Sequence, residues 1–371
     1  MKPEFMTRAL QLAETARGRT SPNPMVGAVI VKGNRIIAEG FHQKAGGDHA
    51  EIVALKKAKD AAKGASLYVT LEPCCHHGKT PPCTDAIIKA GIKKVAIAAQ
   101  DPNPLVCGKG TAQLKKAGVA VFQGLLQKEA KKLNEAYNKF ITEKIPFVTL
   151  KVALSLDGKM ADSAGVSKWI SNENSRQKVH EMRASSDAVL VGVNTLLNDN
   201  PRLNARVGKK SDRQPVRVVA DSSLRTPPTA RILHSAGGEV WIATTSDDQK
   251  KIKSLEDEGA KIIRVEEKNK RVDLKALMKE LAKRGIVSLL LEGGASMIGD
   301  AMKNDMVDKM ALFYAPLIIG GEGRYSLAGT DMAKDLPKAS RLLELSVTTI
   351  PADGPAKNSV GDVLVEGYVK K

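Results

Sequence analysis

Three cysteines crowd into the stretch LEPCCHHGKTPPCTDA, as Cys74, Cys75 and Cys83, and His49 and Glu51 stand upstream of them in GGDHAEIVAL. No other feature limits the fold as much, because imidazole and thiolate ligands of one metal must converge on a single point. Catalytic zinc keeps three protein ligands and leaves its fourth position to water, and His49, Cys74 and Cys83 would supply the three. A carboxylate two residues after the histidine is placed to shuttle the proton of an activated water, and Glu51 is that carboxylate. The rival is a structural zinc with a fourth ligand from Cys75, His76 or His77, which would leave Glu51 without a task. An isolated His-Ala-Glu says little; a Pro-Cys pair after a strand and a second cysteine make the set specific. Cys75 beside Cys74 points away from the same metal and reads as packing, and Cys107 reads as core. This crowding is metal spacing and not a disulfide framework.

The apolar patterning places these residues. Residues 6–17 read as an amphipathic helix, SPNP as a turn and Val26–Phe41 as a hairpin; a helix begins near His49, and ASLYVTLEP is a buried strand entering the cysteine cluster. KKVAIAAQDPNP and GVAVFQG add strands around the helical TAQLKKA, which makes an α/β domain. QKEAKKLNEAYNKFITEK reads as one charged helix ending at Pro146, so domains are expected over 1–145 and 146–371. Two cores suit a chain of 371 residues. In the second half FVTLKVALSLDGKMA, DAVLVGV, PVRVVADSS, EVWIATT, AKIIRV, VSLLLEGG, KMALFYAPLII and DVLVEGYVKK read as strands. Helical segments separate several of them, so a mostly parallel sheet is expected.

Composition narrows the classes of function. No apolar run approaches the length of a membrane span, and the charged N-terminus lacks an apolar signal core, so a cytoplasmic protein without membrane association is expected. The net charge of +17 is spread over both halves, with 23 basic against 12 acidic residues through Ile145 and 35 against 29 after it. Such charge favours anionic partners. With 4% aromatic residues there are few platforms for base stacking, which argues against nucleic acid and leaves phosphorylated metabolites or dinucleotides. A zinc that merely props up a binding module would predict metal-dependent folding without turnover.

The order H-x-E, P-C and a later cysteine resembles the zinc nucleobase deaminases, except that CHHGKTPP separates two cysteines that are usually two residues apart. PNPMVG at Pro22–Gly27, HAE at His49–Glu51 and EPCCHHGKTPPC at Glu72–Cys83 resemble the bifunctional riboflavin-biosynthesis deaminase/reductase family, and the resemblance covers nearly the whole chain. It implies an α/β fold with a cytidine-deaminase-like three-layer domain followed by a dihydrofolate-reductase-like domain. It also implies one Zn²⁺ per chain, NADPH as second cofactor, a small phosphorylated pyrimidine as substrate and a homo-oligomer. The implied reactions are hydrolytic deamination of 2,5-diamino-6-(ribosylamino)pyrimidinone 5′-phosphate by zinc-activated water, with Glu51 moving the protons, and then NADPH-dependent reduction of the ribosyl group to ribityl. Carried over by position, Asn23, His42, His76, Lys79, Asp101 and Asn103 line the pyrimidine and ribose-phosphate pocket.

The reductase half resembles the family through KVALSLDGKMA, SKWIS, GVNTLLNDNPRLNAR and LLLEGGASM. In the last, a buried strand running into Gly293 and Gly294 and then a helix leaves backbone N–H groups free for a phosphate. The resemblance implies dinucleotide contacts at Ala153, Trp169, Thr195, Asp199 and Ser222, and along Gly294, Ala295, Ser296, Met297, Ile298, Gly299 and Asp300. It implies substrate contacts at Ser167, Arg183, Leu203, Arg206 and Glu292; of the two arginines, whose forks suit a phosphate, Arg206 in the loop after Pro201 carries more weight. Lys159 and Ser171 depart from the arginine and threonine common in the family.

Overall fold

The computed structural model describes residues 1–76, 81–167, 170–208, 213–321, 326–327, 339–352 and 361–370. Contacts divide the chain into two compact units, Met1–Lys144 and Ile145–Lys371.

In the first unit, helix α1 (Pro3–Glu14) precedes the hairpin β1 (Gly27–Lys32) and β2 (Arg35–Phe41). Then follow α2 (Ala50–Ala58), β3 (Ser66–Leu71), α3 (Cys83–Lys89), β4 (Lys94–Ala99), α4 (Lys109–Lys116), β5 (Ala120–Gln123), α5 (Gln127–Leu133) and α6 (Glu135–Glu143). The sheet runs β2-β1-β3-β4-β5, antiparallel at the hairpin and between β1 and β3, parallel beyond. Alternate side chains of the strands feed two cores. Ala28, Ile30, Leu67, Val69, Val95 and Ile97 pack under α2, α3 and α4, while Val29, Val31, Tyr68, Ala96 and Ala98 meet Phe5, Met6 and Ala9 of α1. The result is three layers, helix on sheet on helix. The charged stretch expected as one helix is two: buried Asn134 breaks it, its side chain accepting from Met25 N (2.8 Å) and donating to Met25 O (2.9 Å).

The second unit opens with β6 (Phe147–Ser155), α7 (Glu173–Ser185), β7 (Ala188–Gly192), α8 (Val193–Asp199), β8 (Val216–Ala220), α9 (Arg231–His234), β9 (Val240–Thr244) and α10 (Gln249–Asp257). It continues through β10 (Ala260–Arg264), the short hairpin β11 (Glu267–Lys268) and β12 (Arg271–Val272), α11 (Leu274–Lys283), β13 (Ser288–Leu291), α12 (Ala295–Lys303), β14 (Lys309–Ala315), β15 (Leu342–Ile350) and β16 (Asp362–Val369). Nine strands form one sheet in the order β10-β9-β8-β7-β13-β6-β14-β16-β15, parallel from β10 to β14. The inner strands β7, β8 and β13 are near-continuous apolar runs because both of their faces are covered. Strand β15 escapes sequence reading because it lies at the sheet edge and nearly all of its residues are exposed.

Candidate active sites

Three elements bring the metal-ligand set together. His49 is the residue before α2 and Glu51 lies in that helix's first turn, while Cys74 follows β3 and Cys83 opens α3. Gly40 of β2 sets the depth of α2: a Cβ there would fall 2.3 Å from Ala50 O and 2.6 Å from Ala54 N. The candidate ligand atoms of His49, Cys74 and Cys83 lie within 4.8 Å of one another. His49 Nδ1 is 3.2 Å from Cys83 Sγ and 3.5 Å from Cys74 Sγ. Zn–S bonds near 2.3 Å and Zn–N bonds near 2.0–2.1 Å put tetrahedral ligand pairs about 3.5–3.8 Å apart; the His49–Cys74 separation falls in that range and the His49–Cys83 separation a few tenths of an ångström short of it, so a small outward shift of one side chain makes room for a zinc ion. Ionisation agrees: hydrogen bonds from Cys83 and His49 pull the Cys74 thiol down to about 4, while Cys74 and burial push Cys83 up. Two sulfurs compete for one negative charge, a conflict that a bound dication removes by making both thiolates.

Among the described residues no fourth His, Cys, Asp or Glu joins this group. Cys75 Sγ turns to Leu105 O (3.9 Å), and Cys107, expected in the core, is exposed on the loop before α4. Glu51 is buried, and burial pushes its carboxyl up to about 7; a cation beside it would act in the opposite sense. Around the triangle, Asn23 Nδ2 is 3.1 Å from His42 Nε2, and His42 Nδ1 is 3.0 Å from Asp48 O. With the carbonyl taking the Nδ1 proton, Nε2 accepts from the amide, so His42 is neutral and Asn23 Oδ1 is left for a ligand. Burial keeps the His42 pKa low, in accord with that assignment. His42 also meets His49 edge to face, with ring centroids 5.6 Å apart.

Asp101, after β4, is buried and accepts from Asn103 N (2.9 Å) and from Tyr137 OH (3.0 Å). Burial raises its pKa, and the negative charges of Glu72 and Cys74 add to the rise. Tyr137 on α6 carried no signal in the sequence beyond that of a core aromatic. Buried Glu72 accepts from Gly108 N (3.0 Å) and Thr111 N (2.9 Å), tying the loop that carries Asp101 and Asn103 to the end of β3. His76 is half-buried, its Nδ1 buried without a hydrogen-bond partner; Lys79 lies outside the described residues.

In the second unit one cavity of about 980 Å³ opens beside the C-terminal ends of the parallel strands. Ala153, Ser167, Arg183, Thr195, Asp199, Leu203, Arg206, Ser222 and Glu292 all line it, as do Gly294, Ala295, Ser296, Met297 and Asp300. Trp169 lies outside the described residues. Ile298 and Gly299 do not line it: both are buried on the inner face of α12, where Ile298 packs in the core, because a helix can turn only some of its residues to a cavity. Gly294 precedes α12 without a side-chain cap, so the first N–H groups of that helix stand at the cavity wall.

Arg183 differs from the expected free phosphate partner. Its Nε and Nη2 donate to Glu292 Oε1 and Oε2 at 2.6 and 2.8 Å, a bidentate pair only 14% and 10% exposed. Burial would raise the Glu292 pKa, but Arg183, Lys151 and His180 outweigh it and hold the carboxyl below its usual range. Arg206 donates to Asn204 Oδ1 (2.7 Å), and burial together with the charges of Arg183, Arg202 and Arg231 lowers its pKa. That surrounding positive potential suits an anion. Sequence reasoning missed Lys151, whose amine is buried in the cavity wall and depressed by burial, and His180, whose pKa burial and neighbouring arginines lower to about 4. Lys151 opens the segment KVALSLDGKMA but nothing in that segment marks its amine, and His180 reads as an ordinary helix residue.

Comparison with known proteins agrees with both halves. Residues 1–99 match the family described as cytidine and deoxycytidylate deaminase zinc-binding region, and residues 146–354 match the RibD C-terminal domain. The riboflavin biosynthesis protein RibD of Actinobacillus pleuropneumoniae is 44% identical, over 94% of this chain and 93% of its own length. RibD of Escherichia coli (strain K12) is 40% identical over 90% and 93%. Among solved structures, Acinetobacter baumannii RibD superposes with a TM-score of 0.87 at 36% identity, covering 100% of this chain and 99% of that one. The diaminohydroxyphosphoribosylaminopyrimidine deaminase/5-amino-6-(5-phosphoribosylamino)uracil reductase of Thermotoga maritima gives 0.84 at 38%, covering 99% and 98%. A zinc-ligand triangle with its buried carboxylate in one unit, a basic cavity in the other and this likeness along the whole length lead to one conclusion: the chain belongs to the RibD family of bifunctional riboflavin-biosynthesis deaminase/reductases.

Proposed function

We propose that the first unit deaminates 2,5-diamino-6-(ribosylamino)pyrimidinone 5′-phosphate and that the second reduces the ribosyl group of the product to ribityl with NADPH. The observation that carries the first step is the three-ligand triangle with Glu51 buried beside it. Zinc, when held by His49 Nδ1 and the Cys74 and Cys83 thiolates, supplies the Lewis acidity that lets water attack at neutral pH. Glu51 takes one proton of the attacking water and passes it to the ring nitrogen, then carries the remaining hydroxyl proton to the amine, which leaves as ammonia as the ring carbonyl forms. Asn23, kept in place by neutral His42, hydrogen-bonds the ring edge. Asp101 and Asn103 hold the ribose side, and Tyr137 positions Asp101 for that contact. His76 and Lys79 complete the pocket by the family pattern.

In the second unit NADPH supplies the hydride. The N–H groups after Gly294 take its pyrophosphate, with Ala153, Thr195, Asp199 and Ser222 along the dinucleotide. Arg206 binds the substrate phosphate, while Ser167 and Leu203 flank the sugar. Glu292 orients Arg183 and stands beside the buried Lys151 amine, which can protonate the oxygen released as the sugar opens. The reaction belongs in the cytoplasm, in keeping with four free cysteines, and the exposed Leu343, Leu345 and Val347 on edge strand β15 offer a face for self-association.

The test supplies the ribotide to the purified chain and follows ammonia release and NADPH oxidation. Glu51→Gln is expected to keep its zinc, to lose deamination by roughly 10²-fold or more and to go on reducing the deaminated ribotide. Full deamination by that variant excludes the assigned role. Arg206→Ala is expected to raise KM for the deaminated ribotide and to leave NADPH binding intact; loss of NADPH binding instead would overturn the substrate assignment.

A further inference from the structure

Arg183 and Arg206 stand at the same end of the cavity with different electrostatic fates. Arg183 is neutralised by Glu292 in a buried bidentate pair, whereas Arg206 is exposed and, among the described residues, pairs with no carboxylate. Its Nη1 donates instead to Asn204 Oδ1 (2.7 Å), a neutral acceptor two residues earlier in the loop between α8 and β8. Asn204 is half-buried and does not line the cavity, although Leu203 before it and Arg206 after it both do. The chemistry described above makes no use of it.

Asn204 is nevertheless fixed from several sides. Its Nδ2 donates to Ala236 O (3.0 Å), in the segment between α9 and β9. Buried Arg217 pins that segment, its Nη1 donating to Ile232 O (2.7 Å) and its Nη2 to Gly238 O (2.5 Å). The segment lies close over the asparagine: a Cβ on Gly237 would stand 3.3 Å from Asn204 Cβ and 3.1 Å from the Arg217 guanidinium carbon. Gln214 grips the next residue by both backbone groups, Oε1 accepting from Ala205 N and Nε2 donating to Ala205 O at 2.9 Å each. The carbonyl of Asn204 accepts from His180 Nδ1 (3.1 Å) and Arg183 Nη1 (3.3 Å), two groups of the cavity wall. Leu203 is held in the left-handed region (φ 54°), a strain that persists only where surrounding contacts over-determine the backbone. The partners also settle which way the amide faces, because a guanidinium only donates and a carbonyl only accepts. An unrestrained arginine samples many rotamers, and a carboxylate that restrained it would cancel its charge. An amide anchored at its far end restrains the guanidinium and leaves the whole charge for an anion.

We infer that Asn204 is a positioning residue of the reductase site: it fixes the Arg206 guanidinium, with its charge uncompensated, where the ribotide phosphate docks. The inference rests on the proposal above that Arg206 binds that phosphate. Steady-state reduction of the deaminated ribotide by the full chain tests it. Asn204→Ala is expected to raise KM for the ribotide roughly 5- to 20-fold, the rotamer freedom that Arg206 regains, with kcat within about twofold and NADPH binding unchanged. Asn204→Asp is the nearer match in shape, yet it should raise KM further, because its carboxylate pairs with Arg206 and competes with the phosphate. In the Arg206→Ala background Asn204→Ala should add less than about twofold, since no guanidinium remains to be positioned. An asparagine that served only the stability of the loop predicts the reverse: Asp milder than Ala, and losses that add. Either of those results, or unchanged KM in both Asn204 variants while Arg206→Ala raises it, overturns the inference. Unchanged KM in Arg206→Ala itself would instead remove the phosphate assignment, and the role of Asn204 with it.

Discussion

Removing the charge of Glu292 should damage the second unit far more than the loss of one surface ion pair would. The Glu292→Gln variant leaves the Arg183 guanidinium, 14% exposed, beside the buried Lys151 amine with no counter-charge between them. Breaking a buried pair in this way costs about 3–5 kcal/mol, because the stranded charge cannot recover its hydration. For a unit of this size each kcal/mol lowers Tm by about 2–4 °C, so a fall of about 6–20 °C is expected. The assay can be confined to the affected half, since both tryptophans, Trp169 and Trp241, lie in it and their fluorescence reports its unfolding. The double variant Arg183→Met/Glu292→Gln should recover at least about 2 kcal/mol of the sum of the single losses, since no guanidinium then remains stranded. Acid should narrow the gap between wild type and Glu292→Gln only at low pH. The folded-state pKa of Glu292 lies below its unfolded value, so the stabilisation is complete above the unfolded value and disappears as pH falls through the folded one. A Tm within about 2 °C of wild type for Glu292→Gln, or strict additivity in the double variant, would refute the reasoning.

Three further outcomes follow from the geometry. Gly40→Ala places a methyl carbon against the backbone of α2, so that helix must move; with His49 and Glu51 displaced by about 1 Å, deamination should drop roughly 10²-fold while ribotide reduction persists, and unchanged deamination would show that α2 does not rest on Gly40. Cys83→Ser should reduce bound zinc from about one per chain to well under that by elemental analysis and abolish deamination, and full zinc occupancy would remove Cys83 from the ligand set. His180 is neutral when folded, with its pKa lowered to about 4, so between roughly pH 6.5 and 4 the unfolded chain binds the extra proton and stability falls as pH falls. His180→Gln should flatten that part of the pH–Tm curve of the second unit, and an unaltered slope would count against a buried neutral imidazole.

What could be read from the order of residues shares one physical property: the signal is local or set by residue type. Imidazole, thiolate and carboxylate are few, so His49, Glu51, Cys74 and Cys83 declare a zinc site before any fold is known. Buried parallel strands are apolar throughout, so β7, β8 and β13 stand out, as does the strand–Gly293–Gly294–helix turn. Tertiary structure decided the rest, because it depends on which distant strands become neighbours. Strand β13 inserts between β7 and β6, and this brings Glu292 to Arg183, 109 residues earlier, and to Lys151; no periodicity could announce that pairing. The same holds for Tyr137 reaching Asp101, for Asn134 bridging to Met25 and splitting a helix, and for the hairpin that carries Lys270 and Arg271 to the end of β8. Ile298 and Gly299 stand apart from the cavity lining for a related reason: a motif names a contiguous segment, whereas a helix divides that segment between core and cavity.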